Sequence, residues 1–161
     1  MKTWIIACCL CIFCFFLPLQ CFIIGDNLGF GVQGAVFRYQ MTVQGDSLIP
    51  ITRELGYITY GLYSGKTALS VVLWTLGTVV LTATTILSLV HWNQLPHSRL
   101  KIVISGLVSA SIFYFSSCVT MYGLFLSGPA GISLPVGVVI LIIFTIFLYS
   151  YQDLFFSPEH N

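Results

Sequence analysis

The chain has 161 residues, of which 57% are hydrophobic and only 7% charged, and its net charge is +1. Soluble domains carry about 25% charged residues, so solvated groups alone cannot cover this surface, and lipid is the remaining solvent. The near-zero charge gives no field for gathering nucleic acid or acidic substrates, and the length allows one compact unit over residues 1–161.

Four apolar stretches reach the roughly 20 residues that a bilayer-spanning helix needs: about 4–24, 69–90, 102–126 and 132–151. The first, from Trp4, follows Lys2 as the core of a secretory signal would. However, no small-x-small cleavage site follows it, and Gln20, not a small residue, precedes Cys21. It is therefore read as a retained helix.

Between the first two stretches lies the one sizeable connection, about 25–67. Within it, "VFRYQMTVQGD" alternates: Phe37, Tyr39, Met41 and Val43 are apolar, and Arg38, Gln40, Thr42 and Gln44 are polar. That period predicts a half-buried strand over Gly34–Gln44, turning through "QGDS" into a partner over Ser47–Thr52. Pro50 marks the partner as an edge strand, since it has no N–H for the ladder. Leu28–Val32 is a candidate third strand, and "TRELGYITYGLYSG" reads as a short amphipathic helix led by Thr52. The aromatic pair Phe37 and Tyr39 is expected to face a covering surface. Open strand edges do not occur in lipid, so the sheet is expected in water. The predicted fold is an all-α membrane protein: a four-transmembrane-helix bundle with a small β-rich extramembrane cap between helices 1 and 2. Lys2, Arg99 and Lys101 lie on one side of such a bundle, with Arg38, Arg53 and Lys66 on the other. Because Arg99 and Lys101 crowd a very short loop, the N- and C-termini are read as cytoplasmic and the chain as a multi-pass protein of the cell membrane.

The predicted helices hold no Asp, Glu, Lys or Arg in their cores. Ion-coupled carriers and proton relays need such groups at membrane depth. His91 and His97 flank the short loop without a partner set for metal or haem. Cys8, Cys9, Cys11, Cys14 and Cys21 fall in the first stretch, where C-x-x-C spacings occur inside an apolar helix; there cysteine behaves as a small apolar residue. Asp26, Arg38, Asp46, Arg53 and Glu54 are read as the solvated surface of the cap. No catalytic, cofactor-binding or metal-binding residue is assigned, no cofactor is expected, and the chain is not read as an enzyme.

The clearest helical pattern is Thr75, Thr78, Thr82 and Thr85 at spacings of three and four, facing Gly106, Ser109, Ser116, Thr120 and Gly123 on the next helix. Small and hydroxylated residues let membrane helices approach and bond across the contact, so these are helix-packing or polar-path candidates. Phe37, Arg38, Tyr39 and Met41 are the cap's contact candidates. The expected partners are the bilayer and other membrane proteins or a second copy, with no nucleic acid. The expected role is a structural, adhesion or accessory subunit. The alternative is a passive channel or carrier for a small neutral or lipid-like solute along the Thr/Ser stripes.

The layout resembles that of the claudin-type tetraspan proteins, which have four helices, a long first extracellular loop forming a β-sheet and a short second one. "GLY" at Gly61–Tyr63 echoes that family's Gly-Leu-Trp, but close to the second helix, and the loop carries neither a tryptophan nor a cysteine pair. The resemblance implies a sheet-bearing first loop and transfers no residue role.

Overall fold

The structure is a computed structural model that describes residues 2–25, 28–90 and 97–150. Its elements run α1 (Lys2–Phe15), β1 (Gln20–Ile24), β2 (Gly29–Gln33), β3 (Phe37–Thr42), β4 (Gly45–Pro50), α2 (Ile51–Thr59), α3 (Gly65–Val90), α4 (His97–Tyr122), β5 (Ser127–Gly128), β6 (Gly131–Leu134) and α5 (Val136–Ser150). This is a mixed α/β architecture with a six-stranded sheet of order β4-β3-β2-β1-β6-β5, antiparallel at every pairing.

The expected all-α four-helix bundle is thereby corrected. Among the described residues, only α3 and α4 are long and apolar enough to cross a membrane; α1 and α5 are shorter apolar helices there. The physical reason lies in the two outer apolar stretches, each of which divides into a helix and a strand. Pro18 has no N–H and disfavours helical backbone at the residue before it. Accordingly, α1 closes with Phe16 N–H donating to Ile12 O, and Leu19 N–H already donates to Gln33 O across the sheet. Residues 20–24, expected as the end of a span, become β1. At the other end, residues 131–134 become β6, and Pro135 separates them from α5. The two salvaged segments then pair, Cys21 with Leu134 and Ile23 with Ile132.

The hairpin of the long connection is present: β3 and β4 pair from Phe37↔Pro50 to Thr42↔Gly45. Gly45 has φ +120°, a backbone that only glycine adopts readily. Pro50 ends an edge strand and leads straight into α2. The third strand is β2, paired with β3 on one side and β1 on the other.

Helices α3 and α4 run antiparallel, since Ser70 meets Ser117, Thr78 meets Tyr114, and Gly106 lies against Thr84. A Cβ on Gly77 would sit 2.9 Å from the Tyr114 ring, and one on Gly106 2.2 Å from Thr84 Oγ1, so both glycines set the approach of the pair. The core centres on Leu10, Trp74, Leu81, Leu107 and Leu141, all fully buried. Phe13 and Phe144 join α1 to α5 with ring centroids 5.3 Å apart. The outward positions of the helices are also apolar, including Ile12, Val79, Ile86, Ile112 and Ile143. A helix apolar on all sides suits lipid or a larger protein interior.

Candidate functional site

The sheet faces opposite ways in composition from what its alternation suggests. Across the middle strands, the side turned to the helices carries Gln20, Phe22, Gly31, Gln33, Arg38 and Ser133, all buried or nearly so. The outward side carries Ile23 (43% exposed), Phe30 (50%), Met41 (37%), Leu48 (63%) and Leu134 (63%). An ordinary one-sided antiparallel sheet points its apolar face at the core. Here a polar network fills the junction and the apolar face is left uncovered.

Arg38 is the hub of that junction. Its Nη1 lies 3.0 Å from Oε1 of Glu54, whose side chain is fully buried on α2. Its Nε and Nη2 donate to Gln33 Oε1 at 3.2 and 2.9 Å. The guanidinium sits 5.8 Å from the Phe22 ring centre and 5.5 Å from that of Trp74, a cation over two aromatic faces. Gln20 extends the network: its Nε2 donates to Gln33 Oε1 at 3.0 Å, and its Oε1 accepts from Cys118 Sγ on α4 and from Ser133 Oγ on β6. Burial, with the Glu54 charge beside it, raises the pKa of the Tyr63 hydroxyl above its usual value. On the outer face, the half-buried Tyr39 donates to Asp46 at 3.0 Å, and that bond raises its pKa also.

A second set of bonds pins the β2–β3 turn to α3. Trp74 Nε1 donates to Gly34 O at 3.0 Å, and Thr78 Oγ1 donates to Ala35 O at 2.6 Å. Thr78 lies 13 residues into α3, roughly 20 Å along its axis, so the turn reaches well down the helix pair. Buried carbonyls need partners, and these two tryptophan and threonine donors supply them.

The sequence-derived candidates divide accordingly. Thr78 and Thr85 are buried, Thr75 is half-buried and Thr82 is exposed, so the expected threonine stripe is out of phase with the contact. Thr85 meets Cys14 of α1 at 3.1 Å. Gly106 does touch α3, whereas Ser109, Ser116 and Thr120 are half-buried and Gly123 is exposed beyond the end of α4, with φ +87°. The contact instead pairs Ser70 with Ser117, Gly77 with Tyr114 and Thr84 with Gly106. Thr75, Thr84, Thr85, Ser88, Ser111 and Thr120 each give their hydroxyl proton to the carbonyl four residues back. Of the cap candidates, Tyr39 and Met41 face outward, Phe37 is half-buried beside Gly34, and Arg38 faces the helices. Glu54, expected on the solvated surface, is its buried partner. The sequence alone assigns no role to Gln20, Gln33 or Trp74; a lone polar residue such as Gln20 inside an apolar run is the available signal.

Cys21 lies on β1, not in the first helix. Among the described residues, no group of three or more His, Cys, Asp or Glu is placed to hold a metal ion. His91, Trp92, Asp26 and the chain beyond Ser150 lie outside the described residues, as do the side chains of Lys2 and Arg99.

Compared with protein families, with curated proteins and with solved structures, the chain matches none of them.

Proposed function

We propose that this chain is an integral membrane protein, inserted through α3 and α4, that acts as a non-enzymatic structural, adhesion or accessory subunit of a membrane assembly. The observation that carries the reading is the junction: a buried network of Gln20, Gln33, Arg38, Glu54 and Trp74 holds the sheet rigidly against the helices, while the outer face of β3 and β4 stays free. A preorganised, exposed apolar surface lowers the ordering cost of binding and marks interaction sites when contiguous. Tyr39, Met41 and Leu48 are the partner-facing residues in this reading, and the partner is another membrane protein or a second copy. A solute path through the α3–α4 contact has less support, because its hydroxyls are already occupied: Ser70 and Ser117 donate to each other's carbonyls across the contact, and Thr84 donates to a carbonyl of its own helix.

The test is a mild-detergent pull-down of the tagged full chain from its native membrane, with the mass and stoichiometry of whatever accompanies it. A second protein or a second copy at a defined ratio, lost in a Leu48→Asp variant that still inserts, is the expected result. A monomer that binds nothing, in wild type and variant alike, overturns the subunit reading.

A further inference from the structure

We infer that the outer face of the central strands β6, β1 and β2 is itself a lipid-contacting surface, with an acyl chain lying in the groove between Ile23, Phe30, Ile132 and Leu134. This rests on the membrane reading above and deepens it. The groove has a volume of about 330 Å³ and is lined by Cys21, Ile23, Phe30, Val32, Ile132 and Leu134 together with the backbone edges of Phe22 and Gly31. None of these side chains carries a charge.

Depth gives the first argument. Trp74 and Thr78 donate to the carbonyls of Gly34 and Ala35, so the β2–β3 turn lies roughly 14–20 Å down α3 from its first residue. Gln33 at the end of β2 pairs with Gln20 at the start of β1, and Cys21 pairs with Leu134 at the end of β6. With α3 inserted, this end of the three strands lies level with the span, within a hydrocarbon core of about 30 Å.

Continuity gives the second. Phe15 and Phe16 are exposed on the way into β1, and Leu134 and Val136 are exposed on the way out of β6 into α5. The uncovered face of the central strands thus prolongs the uncovered apolar face of the two short helices without a polar break.

Backbone accounting gives the third. Unpaired N–H and C=O groups forbid open strands in lipid, but β1, β2 and β6 are each paired on both sides. The connection below them is tied as well: Leu19 N–H donates to Gln33 O, and Gly137 N–H donates to Leu19 O. Of the two open edges, β4 is separated from these strands by β3 and bears Asp46 and Ser47; β5, beside β6, is only the two residues Ser127–Gly128, and Ser133 N–H of β6 is satisfied by Leu126 O. The inverted sheet follows from this arrangement. Its polar face is satisfied by Arg38 and the glutamines, and its apolar face has lipid as solvent.

The experiment uses the full chain in phosphatidylcholine bilayers doped with a phosphatidylcholine that carries a diazirine near the carbonyl end of one acyl chain. After photolysis, adducts are mapped by mass spectrometry. The expected result is labelling of both the helices and the β1, β2 and β6 peptides, with strand labelling falling severalfold in an Ile132→Glu variant whose helix labelling is unchanged. Labelling of the helices alone overturns the inference and leaves the membrane reading standing. Labelling of neither overturns the membrane reading itself. Protection of the strands by a second copy, seen as strand labelling that appears only on dilution of a dimer, also overturns the inference and assigns the face to self-association.

Discussion

Glu54 is fully buried, and the guanidinium of Arg38 at 3.0 Å is its charge partner; neither carboxylate oxygen has a hydrogen bond of good geometry. Removing one partner of a buried ion pair costs about 3–5 kcal/mol, chiefly because the other charge is left buried and uncompensated. Glu54→Ala is expected in that range. Arg38→Met keeps the aliphatic stem between Phe22 and Trp74 but also strips Gln33 Oε1 of two of its donors, so it is expected at the upper end or beyond. For a chain of this size, about 1 kcal/mol shifts Tm by roughly 2–4 °C, so each single variant should melt about 6–20 °C lower. The double variant Arg38→Met/Glu54→Leu removes both charges and fills the volume; replacement of a buried pair by apolar residues is often neutral or stabilising. It should therefore recover most of the loss. The assay is thermal and urea unfolding of the full chain in detergent, arranged as a double-mutant cycle. If each single variant loses less than about 1 kcal/mol, the level of a surface pair, or if the double variant loses the sum of the two, the pair does not anchor α2 to the sheet as described.

Three further outcomes follow from the same packing. Gly137→Ala should be strongly destabilising, since its Cβ would lie 2.4 Å from Pro18 O and 2.6 Å from Leu19 Cα, backbone atoms that cannot rotate away; expression and Tm report it, and a neutral result would mean α5 and the β1 approach are looser than observed. Thr78→Val leaves Ala35 O and the Tyr114 hydroxyl without their partner and should cost about 1–3 kcal/mol, whereas Thr82→Val, at an exposed position, should stay within about 0.5 kcal/mol. The Tyr63 pKa is raised on folding, so its contribution is fully present below the unfolded tyrosine value of about 10 and is lost as pH rises through the folded value. Stability should therefore fall more steeply above pH of about 10 in the wild type than in Tyr63→Phe, measured by unfolding at fixed temperature.

The parts of the fold legible in the sequence were those where local pattern and tertiary environment agree. The period-2 run at Phe37–Thr42, the Gly45 turn and the Pro50 edge all state a hairpin, and the hairpin is there. The long uncharged runs of α3 and α4 likewise state helices, and both form. The rest was hidden because hydropathy cannot separate a helix from a strand when both are apolar. Residues 20–24 and 131–134 are as greasy as the helices they adjoin, and only Pro18 and Pro135 mark the change of backbone. Alternation fixed the period of β3 correctly but not which of its faces turns inward, because that choice depends on what lies on each side. Arg38 turns toward the helices because Gln33, Glu54, Phe22 and Trp74 converge on it from β2, α2, β1 and α3, a meeting no local window contains. Once Arg38 is committed inward, the pleat forces Tyr39 and Met41 outward. The exposed apolar face is thus the geometric consequence of a buried ion pair.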